Sequence, residues 1–157
     1  MYSMKIKNKS TLIISILIPL AVGSLSSLLS GNVSGYSSFN KPALSPPSFV
    51  FPIVWTILYI LMGISSFIIY ESHSPKKETA LRLYRLQLFF NFFWSIIFFR
   101  WSLCLPAFLW LAVMILIIIL MIKQFRQISP LAAFLQIPYL VWCLFAAYLN
   151  LMICILN

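Results

Sequence analysis

Three stretches of the chain place aromatic rings and neutral amides at helical intervals. Gln87, Asn91, Trp94 and Phe98 are separated by four, three and four residues, which sets them on one face of a helix. Trp55, Tyr59, Met62 and Ser66 share a face in the same way. So do Leu135, Tyr139, Trp142, Ala146 and Asn150. Such rings stack on flat apolar molecules, and an amide in apolar surroundings offers a directed hydrogen bond. Faces of this kind, if they converge, would enclose a planar, largely apolar ligand. The same spacing equally suits plain packing, with Asn91 and Asn150 joining helices and the rings lying in interfacial belts.

Other chemistry lacks its residues. The only acids are Glu71 and Glu78, and both lie at the edges of apolar runs. No nucleotide-binding P-loop, metal-ligand motif or nucleophile–base pair is visible. His73, the one histidine, sits in a polar connection and reads as a solvated loop residue. Cys104, Cys143 and Cys154 form no CxxC pair and lie in or beside apolar runs. They read as small buried residues rather than as a disulfide framework or a metal site. No metal and no cofactor is expected.

The elements that must position these faces are transmembrane helices. Hydrophobic residues make up 62% of the 157 and charged residues 8%, against about 25% charged in soluble domains. With a mean hydropathy of +1.02, the chain could not clothe a water-facing surface. Crossing a bilayer as helix takes about 20 apolar residues. Five runs qualify, with helices expected over about 11–29, 50–71, 80–99, 105–124 and 130–156. Backbone groups out of reach of water need the internal hydrogen bonds of a helix. Stretches such as LAVMILIIILMI lack the period-two alternation of a membrane barrel. The expected fold is therefore all-α integral membrane, a five-transmembrane-helix bundle forming a single domain over 1–157.

The formal net charge of +9 orients this bundle rather than pointing to nucleic acid, because the bases cluster at the ends of apolar runs. With the N-terminus cytoplasmic, that side holds Lys5, Lys7, Lys9, Lys76, Lys77, Arg82, Arg85, Lys123 and Arg126. The opposite side holds Lys41 and Arg100. Nine against two is the positive-inside pattern, and it puts the C-terminus outside, for a bacterium across the cytoplasmic membrane. The middle of every span lacks ionisable residues, so a proton-coupled pump or ion channel has no visible machinery. Lysines 5, 7 and 9 before the apolar stretch Leu12–Val22, with small residues around Gly23, also match a cleavable signal peptide. Charge does not decide between the two, since cleavage would leave the later topology unchanged.

Punctuation adds detail. Ser129 and Pro130 supply an N-cap and a first-turn proline for the fifth span, and Pro106 can begin the fourth. Pro19 and Pro138 fall inside spans, where each removes a helix hydrogen bond and favours a kink. The link over about 30–49 is far longer than the others, as lids and binding loops often are. Its sequence KPALSPPSFVFP favours a structured lid. The one GxxxG, Gly31 to Gly35, falls in this loop and supplies no helix-pairing motif.

Several of these residues resemble the signature of the TspO/MBR family, the tryptophan-rich sensory proteins of bacteria and the mitochondrial translocator protein, or peripheral-type benzodiazepine receptor. They are Lys41-Pro42, Ser45-Pro46-Pro47, Phe51-Pro52-Ile53-Val54-Trp55, Leu58-Tyr59 and Met62-Gly63. Gln87-Leu88, Asn91 and Trp94 to Phe98-Phe99 are similar to the family's third-helix motif. Pro138-Tyr139-Leu140, Trp142, Phe145-Ala146 and Leu149-Asn150 are similar to its fifth. The resemblance implies a five-helix bundle, commonly a homodimer, with a retained first helix and a pocket opening toward the first loop. It implies ligands such as porphyrins and other tetrapyrroles, isoquinoline carboxamides and, in some members, cholesterol. Trp55, Asn91, Trp142 and Ala146 would line the pocket, and Pro46 and Pro47 would shape its lid. Trp55 and Trp142 match tryptophans implicated in light-dependent porphyrin breakdown.

The chain departs from the family in places. Ser45 stands where relatives often carry an aromatic or histidine, and Trp110 does not align cleanly with the usual fourth-helix tryptophan. No base follows Tyr148, so the sterol-recognition pattern expected there is missing. Arg82, Tyr84 and Leu86 fit the reversed pattern, with Arg82 read as an interfacial anchor.

The functional expectation that follows is a membrane-embedded binding protein for a porphyrin or other planar hydrophobic small molecule, with a sensory or regulatory role. Tyr59, Trp94 and Tyr139 complete its expected ligand-binding set. No catalytic residue is assured. Photo-oxidative porphyrin degradation through Trp55 and Trp142 ranks second and facilitated transport third.

Overall fold

The computed structural model describes residues 8–31 and 39–157. Lys5 and Lys7 of the charge count, and 32–38 of the expected lid, lie outside the described residues. The first helix, α1 (Lys9–Leu29), is capped by Asn8, whose side chain accepts the Thr11 N–H at 3.4 Å and so satisfies one donor of the open first turn. It runs through Pro19 and ends before Gly31. Gly31 adopts φ 77°, the left-handed conformation that closes helices and that glycine takes without steric cost.

Helix α2 (Val50–Tyr70) lies against α1 along two glycines. A Cβ on Gly63 would overlap the Ile16 backbone and come 2.7 Å from the Ser15 carbonyl, so the two helices meet there main chain to main chain. Gly23 of α1 receives the Tyr59 ring of α2. Helix α3 (Lys77–Ser95) widens at its end into a π-helical turn, Ile96–Arg100. A left-handed Ser102 then turns the chain into α4 (Cys104–Ile128).

The last apolar run is divided into α5 (Pro130–Leu135) and α6 (Ile137–Leu156). Ser129 caps α5 as expected, accepting the Ala132 N–H at 3.4 Å. The division at Gln136 is the expected kink at Pro138, which has no N–H to return to the Phe134 carbonyl. It shapes the bundle. Helix α2 packs closely on α5 but hardly on α6, so beyond the break α6 diverges from α2.

Among the described residues, four helices are long and apolar enough to cross a membrane: α1, α2, α4 and the composite Pro130–Leu156. Five spans were expected. The difference is α3, whose opening turns carry Lys77, Glu78, Arg82 and Arg85, leaving too few uncharged residues in the α-helical segment. No strand occurs among the described residues. The core is built from Met62, Ile69, Leu111, Met114, Ile118, Met121, Phe125 and Ile153, all 1% exposed or less. Large apolar side chains such as Leu28, Phe134 and Ile155 face outward. That is stable where the surroundings are hydrocarbon, because helix packing there draws on close fit and polar contacts instead of water exclusion.

The cysteine expectation needs correction. Cys104 and Cys154 are joined in a disulfide with Cα atoms 5.6 Å apart. Fifty residues separate them in sequence, but α4 and α6 are packed neighbours, and the turn at the start of α4 meets the last turn of α6. No local spacing reveals such a pair. Cys143, in contrast, is free and buried.

Candidate functional site

The three faces read from the sequence turn inward together. On α3 and its π-helical turn, Gln87, Asn91, Trp94 and Phe98 are all buried. Asn91 is the hub, because its carbonyl accepts the Tyr59 hydroxyl of α2 at 2.9 Å. Its amide donates to the Tyr139 hydroxyl of α6 at 3.1 Å. Tyr139 in turn donates to Gln87 Oε1 at 2.7 Å. One turn toward the lid, the Trp94 indole donates to Asn150 Oδ1 at 3.3 Å, and the Asn150 amide donates to the Cys104 carbonyl at 3.0 Å. Buried polar groups without water must pair with one another, and these amides do so across α2, α3, α4 and α6.

Aromatic rings fill the space where α6 leaves α2. Trp55 stacks on Tyr59 with ring centroids 5.4 Å apart, and it also lies 6.4 Å from Trp94 and 6.2 Å from Tyr139. Trp142 stands edge-on to Phe51 at 5.8 Å. Its indole N–H is buried and has no acceptor among the described residues. A cavity of about 20 Å³ lies just above this layer, walled by Phe51, Trp94, Phe98, Phe99, Ala146, Leu149, Asn150 and Ile153. That is room for roughly one water molecule.

Trp55, Tyr59, Asn91, Trp94 and Tyr139 thus form one contact cluster. Ala146 and Trp94 border the cavity, and Trp142 touches its Phe51 wall. Pro46 is half-buried and Pro47 exposed in the described part of the loop, and neither borders the cavity. The loop is held down by residues that the sequence reading did not select. Phe39 sets its ring 6.1 Å from Phe98. The Asn40 N–H donates to Asn157 Oδ1 at 3.0 Å, and Asn157 Nδ2 donates back to the Asn40 carbonyl at 3.1 Å. Phe51 and Phe98 stood within the motifs already noted, whereas nothing in a local pattern marks Asn40 or Asn157. Trp110 has a packing role away from this cluster, stacked on Phe90 at 4.4 Å and donating to the Phe90 carbonyl at 2.8 Å.

Comparison with known proteins matches residues 15–156 to the TspO/MBR family. The chain belongs to the TspO/MBR family. It is 34% identical over 151 residues to the "Tryptophan-rich protein TspO" of Chlorobaculum tepidum, covering 94% of this chain and 96% of that one. It is 35% identical to the "Tryptophan-rich sensory protein" of Cereibacter sphaeroides over 73% of this chain and 72% of that one. With the "Translocator protein" of Ovis aries it shares 36% identity, covering 73% and 70% of the two chains. The matched residues include all of α2 to α6 and the Asn91 cluster.

Proposed function

We propose that this TspO/MBR protein is a membrane-embedded binding protein for porphyrins, other tetrapyrroles and similarly planar apolar molecules, with a sensory or regulatory role. The observation that carries the reading is the buried indole N–H of Trp142, which has no acceptor among the described residues. It lies in the aromatic layer around the Asn91 cluster, where the Asn91 and Asn150 amides are already paired. Leaving a buried donor without a partner costs about 1–3 kcal/mol, a cost that a ligand carbonyl or carboxylate would remove. Trp55 and Trp94 would stack on the ring system, and Ala146 leaves space beside them. Small-molecule pockets occupy on the order of 300–1,000 Å³, far more than the present cavity of about 20 Å³. The described conformation is accordingly a closed one, and the ligand enters by displacing Phe51 and the loop above it.

The test is a porphyrin titration in the dark, followed by quenching of tryptophan fluorescence. Wild type should bind, and Trp142→Phe should weaken binding about tenfold, the equivalent of one charge-assisted hydrogen bond. Equal affinity in the two proteins would sink the assignment. A second reading, photo-oxidation of bound porphyrin, is favoured by the contacts of Trp55 with Tyr59, Trp94 and Tyr139. Illumination should then give a new absorbing product that Trp55→Phe abolishes.

We infer in addition that the chain crosses the membrane five times, with α3 and its π-helical turn as the third span. From Leu86 to Phe99 it carries no charge, and its charged turns lie at the end where Lys76 donates to Gln127 at 2.6 Å. The bases put that end in the cytoplasm. The disulfide at the opposite end supports the same orientation, since disulfides persist in oxidising compartments. Reporter fusions at residue 74 and after residue 157 should report opposite sides; the same side would refute it. The homodimer belongs to this proposal too, and light scattering of the purified protein would test it.

A further inference from the structure

We propose that the Cys104–Cys154 pair is a thiol–disulfide exchange site whose redox state controls the latch over the cavity. The inference rests on the pocket reading above only for its effect on ligand entry. The geometry is local and directional. Asn157 holds the loop by reciprocal bonds with the Asn40 main chain, at 3.0 and 3.1 Å, and its amide also donates to the Ile153 carbonyl at 3.0 Å. Both partners of the latch are exposed. Bonds of this kind hold only while their donors and acceptors are kept in register by something else.

The disulfide does that. Cys154 lies in the last turn of α6, between Ile153 and Asn157, and the bond ties this turn to the first turn of α4. The last turn of a helix frays unless something ties it down. Asn150, one turn earlier, stays fixed to Cys104 through its own bond to the Cys104 carbonyl. Opening the disulfide therefore releases the turn carrying Asn157 and leaves the Asn91 cluster in place. Both cysteines are half-buried at the end of the bundle, within reach of a small reagent, whereas Cys143 is fully buried.

The reductant is an external dithiol. One of its thiolates attacks a sulfur of the pair, forming a mixed disulfide and releasing the other cysteine as a thiolate. The second dithiol sulfur then closes on the first and releases the remaining cysteine. Two electrons pass to the pair, and the two protons of the dithiol end on Cys104 and Cys154. Reoxidation by a protein disulfide is the reverse.

Amide hydrogen exchange at Asn40 reads the latch directly, because that N–H is the one donated to Asn157. In air-oxidised full-length protein in micelles, denaturing alkylation should capture one thiol, Cys143, and after dithiothreitol all three. Reduction should speed Asn40 exchange about tenfold or more, as expected for loss of a local closing contact, with Asn91 unchanged. Asn157→Ala should show the fast rate already when oxidised and no further rise on reduction. The Cys104→Ser/Cys154→Ser variant should match reduced wild type and ignore dithiothreitol. Three alkylated cysteines in the oxidised protein, or Asn40 exchange indifferent to reduction, would overturn the proposal. Porphyrin association is measured in parallel. Faster association on reduction supports the gating. Faster Asn40 exchange with no porphyrin bound in either state leaves the latch standing and removes the ligand reading.

Discussion

Replacing Gly23 by alanine sets a methyl group into the space now occupied by the edge of the Tyr59 ring. The new carbon would lie 2.7 Å from the Tyr59 hydroxyl oxygen and closer still to two ring carbons. Ordinary carbon contacts fall at about 3.5–4.0 Å, so the ring must retreat by roughly 1.5 Å. It is confined by its stack on Trp55 at 5.4 Å and by its bond to Asn91 at 2.9 Å. A shift of that size takes the Asn91 contact outside hydrogen-bond geometry. Overpacking costs about 1–3 kcal/mol, and a side-chain hydrogen bond within a membrane contributes about 0.6 and at most about 1.7 kcal/mol. The expected loss for Gly23→Ala is therefore about 2–4 kcal/mol. Tyr59→Phe, which removes the bond without the clash, should lose about 1 kcal/mol. Because the methyl collides with the Tyr59 side chain, Tyr59→Leu should relieve it, giving Gly23→Ala and Tyr59→Leu a favourable coupling of about 1–2 kcal/mol. Reversible unfolding of detergent-solubilised protein by added dodecyl sulfate, followed by circular dichroism, measures each term. Gly23→Ala within about 0.5 kcal/mol of wild type, or strict additivity in the cycle, would refute the close approach of α1 to Tyr59.

The same unfolding assay reads the remaining predictions. Gly63→Ala meets the main chain of Ile16 and Ser15, which cannot rotate away, so it should cost at least about 3 kcal/mol and more than Gly23→Ala. Asn91→Ala strands the Tyr59 hydroxyl while Tyr139 keeps Gln87, for an expected loss of about 1–2 kcal/mol and a change in the Trp55 emission beside it. Ser129→Ala removes the cap of α5 and should cost about 1 kcal/mol, whereas Ser129→Asp should be close to wild type.

Much of the inward cluster was readable because helices repeat every 3.6 residues. The period alone put Gln87, Asn91, Trp94 and Phe98 on one face, and hydrocarbon surroundings require that a face bearing amides turn inward. The Ser129-Pro130 start and the Pro138 break were readable for a related reason: caps and prolines act through bonds within one turn. Helix α3 does not qualify as a span by its own length and composition, because its charged opening leaves the apolar segment dependent on the π-helical turn that follows.

What the sequence determined, then, is whatever depends on neighbours along the chain: a helical membrane protein, the position of its helices, the inward faces and the family signature. Tertiary structure decided what depends on distance through space. It closed Tyr59, Asn91, Tyr139 and Gln87 on one another and left the Trp142 indole N–H without an acceptor among the described residues. It also brought Cys104 to Cys154 and Asn40 to Asn157, across 50 and 117 positions of sequence. Pairs so far apart carry no periodic mark, because the crossing of packed helices makes them neighbours.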